Sequence, residues 1–186
     1  HIACPIIFLS PSNDFHGRIN DLAHATDEIA STEWRVTCSP HHNHQDTPEY
    51  EVATQLWFDQ HLKGIFKCPQ TPRVELQLES QDEVPVLTVH PDESRSILSV
   101  DIYYTQQGQM DGLKDDQVNT MNRFWHHAVA TKSGDVWSGE LPLLTTNKPL
   151  WVYANIAYPL ENSITGAGYY YGTFCATQYC LSSLMQ

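Results

Sequence analysis

Apolar positions change their period several times along the first seventy residues. Pro5-Ile6-Ile7-Phe8-Leu9 is an unbroken apolar run, the pattern of a strand covered on both faces, as in a parallel sheet. Ile19, Leu22, Thr26 and Ile29 then recur at helical spacing. Val36 and Cys38 alternate with polar neighbours, which predicts a half-buried strand ended by Pro40. Thr47-Pro48-Glu49 opens a second helix with a hydroxyl cap, proline in the first turn and carboxylates near the positive end. Val52, Leu56 and Trp57 share one face of it, Leu62 extends the stripe, and Gly64 supplies a left-handed stop. The order is strand, loop, helix, strand, loop, helix: two βα units.

Beyond Pro69 and Pro72 the texture changes. Val74 and Leu76 alternate with Arg73, Glu75 and Gln77, and Val86 to Val89 and Ile97 to Tyr104 form further β-rich runs. Others span Phe124 to Ala130, Val136 to Leu141, Leu150 to Tyr158, and Tyr169 to Leu181 with a break. Gly134-Asp135 and Asn147-Lys148-Pro149 read as turns. The pattern predicts an α/β segment over residues 1–70, followed over 71–186 by an all-β sandwich of immunoglobulin or fibronectin type. Trp125, Trp137 and Trp151 fit alternating core positions. The glycine-flanked Tyr169-Tyr170-Tyr171 run could instead pack on the first segment or touch a ligand.

Charge narrows the partners. The chain carries −12 formal charges with only ten Lys plus Arg, so nucleic acid and anionic membrane surfaces are poor partners. No apolar run approaches membrane-spanning length. The sequence starts at His1 with no recognisable signal or transit segment, so either a processed N-terminus or a place inside a longer chain is expected. Cysteines at 4, 38, 68, 175 and 180 have no metal-type spacing. Cys175 and Cys180 are near enough in sequence to pair, and free buried thiols are the alternative.

Ligands of open α/β sheets collect outside the carboxyl ends of the strands. Asp14 and the histidines at 41, 42 and 44 both belong to that rim. A carboxylate bonded to an imidazole fixes its tautomer and stabilises the imidazolium, the supporting half of a nucleophilic triad. In the plainer alternative Asp14 caps the following helix and the histidines are solvated. His42-Asn43-His44-Gln45-Asp46 also reads as H-x-H-x-D, with which His42, His44 and Asp46 could hold zinc in a metal-dependent hydrolase or lactonase.

SPSNDFHG after an apolar strand, then PHHNHQDT, then a helix ending WFDQHLKG, resembles the C-terminal part of an α/β-hydrolase. The likeness is to the dienelactone-hydrolase and acetylxylan-esterase-like branch. It implies Asp14 as the triad acid and His44 as the general base, since His44 immediately precedes the run into the helix. It also implies a small ester, lactone or acylated carbohydrate as substrate, no cofactor, and a secreted or periplasmic location. The G-x-S-x-G nucleophile elbow of such enzymes and their oxyanion loop are absent here. By the resemblance, then, this is the carboxyl-terminal piece of a longer hydrolase, with exposed edges that another copy, the missing portion or the β-segment would cover. A non-catalytic module, binding sugar or protein through the sandwich, is the remaining expectation.

Overall fold

A computed structural model describes residues 2–78, 84–108 and 120–186. Strand accounts for 39% of the described residues and helix for 17%. This corrects the expected class: the molecule is β-rich, and no α/β-hydrolase sheet flanked by helices is present among the described residues. Its parallel component is one ribbon of two four-residue strands, β1 (Ile6–Leu9) and β2 (Trp34–Thr37). Two strands that short cannot carry helical layers on both faces. Helix α2 (Pro48–Phe58) touches the ribbon and lies on the sheets behind it.

From Arg73 the chain builds two four-stranded antiparallel sheets. One runs β3–β4–β8–β7, from β3 (Arg73–Gln77), β4 (Val86–His90), β8 (Val136–Glu140) and β7 (Thr131–Ser133). The other runs β10–β9–β5–β6, from β10 (Gly172–Ser182), β9 (Trp151–Gly168), β5 (Ser99–Thr105) and β6 (His126–Val129). Val74, Leu87 and Val89 of the first sheet meet Val100, Ile102, Val152 and Ile156 of the second in one core. Val52 and Leu56 of α2 belong to that same core.

The inner half of β9 is buried on both sides. Val152, Ala154 and Ile156 join the sandwich core, while Tyr153 joins a second cluster with Ile19, Leu22, Val36, Cys38 and Trp125. Alternation along the strand puts successive residues on opposite faces. The second face is therefore where the first segment docks. Buried hydrogen bonds fix the docking: Ser182 Oγ accepts from Cys38 N at 2.8 Å, and Asn155 Nδ2 donates to Cys38 O at 3.0 Å. The β10–β9–β5–β6 sheet thus covers one face of the ribbon.

Several local expectations change. β1 is only half-buried, with Leu9 exposed, because nothing among the described residues pairs with its outer edge. The first helix is a 3-10 turn at Ile19–Asp21 followed by α1 (Leu22–Glu28). Thr47 occupies the cap position of α2, but its hydroxyl lies 2.9 Å from Ser39 Oγ rather than capping the helix. A π-turn over Asp59–Lys63 follows α2, and Gly64 ends it at φ 66°. All five cysteines are free, so Cys175 and Cys180 are unpaired.

β9 and β10 form a long hairpin. Its register shifts past Ala176, so that residues 160–163 stand opposite Thr177 alone, just beyond Pro159. Beyond that irregularity the hairpin continues as an arm. Phe174 lies across Gly166 and Tyr171 across Gly168, where a Cβ would meet the rings at 2.7 and 2.2 Å. Such rings over strand glycines brace an otherwise weak ladder.

Candidate active site

Parallel pairing of β1 with β2 puts Leu9 opposite Thr37, so the loops that follow them start side by side. The ladder continues into both loops. Ser10 N donates to Thr37 O, Ser12 N to Ser39 O and Asn13 N to His42 O, at 3.0–3.1 Å. Residues 10–14 and 37–44 are therefore one continuous hydrogen-bonded structure. His41 is the only described non-glycine residue with positive φ, at 63°, a conformation histidine tolerates better than most. Its N–H donates to Ser12 Oγ at 2.7 Å, and its ring packs near Tyr103 and Phe124.

This framework brings Asp14 and His44 together, with His44 Nδ1 2.9 Å from Asp14 Oδ2. The Asp14 side chain is 4% exposed and that of His44 62%. The other carboxylate oxygen, Oδ1, accepts from His16 N at 2.7 Å. Burial alone would raise the Asp14 pKa. The His44 hydrogen bond and the backbone N–H groups of His16 and Gly17 outweigh burial and hold the carboxyl below its ordinary value. A Cβ at position 17 would stand 3.3 Å from Asp14 Oδ2, so glycine there leaves the carboxylate its room. The His16 ring lies edge-on to that of His44, centroids 5.0 Å apart.

The second segment anchors the acid's loop. Asn13 Oδ1 accepts from the buried Trp125 Nε1 at 2.8 Å, and Asn13 Nδ2 donates to Arg123 O at 2.9 Å. These positioning residues escaped the sequence reading. Asn13 stands inside SPSNDFHG, but nothing local marks Trp125, 112 residues away, as its partner.

The imidazole is arranged as a general base needs it, with Nδ1 on the carboxylate and the side chain largely exposed. Among the described residues no hydroxyl or thiol is hydrogen-bonded to His44 Nε2. Cys38 is a buried core thiol whose pKa burial pushes up to about 12, which disfavours the thiolate that a nucleophile requires. Asp14, His44 and Asp46 line an open cleft of about 400 Å³ together with Leu9, Tyr50 and Tyr170. Burial pushes the Tyr50 phenol well up, and its oxygen accepts from Ser39 N.

The alternative zinc donors do not converge. His42 Nδ1 is 3.1 Å from the Gln45 amide nitrogen, and His44 Nδ1 faces Asp14. Among the described residues no group of three or more His, Cys, Asp or Glu side chains is arranged to hold a metal ion. No family model, curated protein or solved structure matches the chain.

Proposed function

We propose that this chain contributes the acid and the general base of a serine-type hydrolase acting on small carboxylic esters or lactones. One observation carries the reading: a buried carboxylate, held ionised, bonds Nδ1 of an exposed imidazole at the mouth of a cleft. Asp14 fixes the tautomer that leaves Nε2 basic, and it stabilises the imidazolium once His44 has taken a proton. The serine and the oxyanion-binding N–H groups come from outside these 186 residues, on a preceding segment or a partner chain. Without them the largest stabilising contribution to acyl transfer is missing, so the chain alone is expected to be nearly inert.

The test uses the protein as its gene encodes it. Hydrolysis of p-nitrophenyl acetate and of a small lactone is followed, and a fluorophosphonate probe reports the reactive serine. His44→Ala is expected to lower kcat by about 10⁴-fold, and Asp14→Asn by a comparable factor, with the fold intact. Undiminished turnover in His44→Ala, or a probe that labels no serine, sinks the reading.

A further inference from the structure

The arm of the β9–β10 hairpin ends at the cleft. Tyr170, at its tip, shares the cleft wall with Asp14 and His44. Tyr169 is 95% exposed and Tyr170 60% exposed, and their rings stand at 89° with centroids 5.1 Å apart. Neither phenol is hydrogen-bonded to a described residue. Two large rings held in water without partners are a cost unless something stacks on them.

The tip is held in place. Gly172, at φ 67°, closes the turn. Tyr171 and Phe174 lie over Gly168 and Gly166, with their own centroids 5.8 Å apart. The arm lies along α2, whose Glu51 and Thr54 face Thr165 and Phe174 across a shared groove. Lys63, on that groove, is paired with Asp59 at 2.6 Å, and the charged side chains placed nearer the tip are carboxylates. From Asn162 to Gln186 the chain has no charged side chain. Asp46 lines the cleft, and Glu49 and Glu51 lie in the first turn of α2.

We propose that Tyr170, backed by Tyr169, is a substrate-binding platform for the Asp14–His44 site, selecting esters that carry a flat ring without negative charge. Aromatic faces attract uncharged rings and cations, and the surrounding carboxylates repel anions. The proposal rests on the acyl-transfer reading for the reaction it serves, but the binding is measured without turnover. Three probes share one ring and ester and carry different charges at the 4-position: benzyl acetate, its 4-trimethylammonium derivative and its 4-carboxylate. Their dissociation constants for this chain are obtained from NMR titration.

The neutral and cationic probes are expected to bind at least about fivefold more tightly than the anionic one. Tyr170→Ala should weaken the neutral probe by about fivefold, whereas Tyr170→Phe keeps the ring and the affinity. Tyr170 is exposed, so neither variant should change the melting temperature. Equal binding of the anionic probe, an unchanged constant in Tyr170→Ala, or no binding of any probe overturns the platform. Charge-selective binding that needs Tyr170, combined with no esterase activity in the gene-encoded protein, removes the acyl-transfer reading and leaves the platform standing.

Discussion

Asp14 shows how local geometry decides a charge. Its side chain is buried, which opposes ionisation, yet three hydrogen-bond donors converge on the two oxygens and the ionised form wins. A carboxyl whose pKa is lower in the folded than in the unfolded state stabilises the fold above its unfolded pKa, near 3.8. That contribution disappears as pH falls through the folded value. Urea unfolding at neutral pH and again below pH 3.8 should therefore show a steeper loss of stability in the parent than in Asp14→Asn. Equal slopes would mean the carboxylate is not held in its ionised form. Two neighbours complete the arrangement. Gly17 leaves the space, and Asn13 ties the loop to Trp125.

At the scale of elements, α2 joins the two halves of the molecule. Its N-terminus faces the cleft, where Tyr50 lines the wall, while Leu56, 5% exposed, is embedded in the sandwich core. Leu56→Ala is expected to cost about 2–5 kcal/mol, read as a lower urea midpoint with an unchanged slope. A cost below about 1 kcal/mol would remove the helix from that core. The helix itself was legible in the sequence, since Pro48, the carboxylates of its first turn and Gly64 are local signals and all stand where expected. Asp14 and His44 were legible too, as residues just past two strand ends. The extent of β9 was not. Its outer half is polar and glycine-rich, and it is a strand only because β10 pairs with it. The α/β expectation failed for a related reason: an apolar run such as Pro5 to Leu9 does not say whether helices or another sheet will cover it.

For the molecule as a whole, the boundary near residue 70 separates two textures but not two cores. Ile19, Leu22 and Val36 bury themselves with Trp125 and Tyr153, and Val52 and Leu56 with residues of both sheets. Excised residues 1–70 would lose both sets of contacts and should give the far-UV circular dichroism of an unfolded chain. In the intact protein, one urea transition should be seen by far-UV and by tryptophan probes alike. A native-like helical spectrum from the excised segment would show that it folds without the sheets. The break in register beyond Pro159 adds a different consequence. Past that break Ile164, Phe174 and Ala176 still pack against the sandwich core, whereas Tyr169 and Tyr170 at the turn are exposed. Evolution or an engineer could lengthen, shorten or reletter the tip and so change what the protein recognises, while its interior would hardly register the exchange.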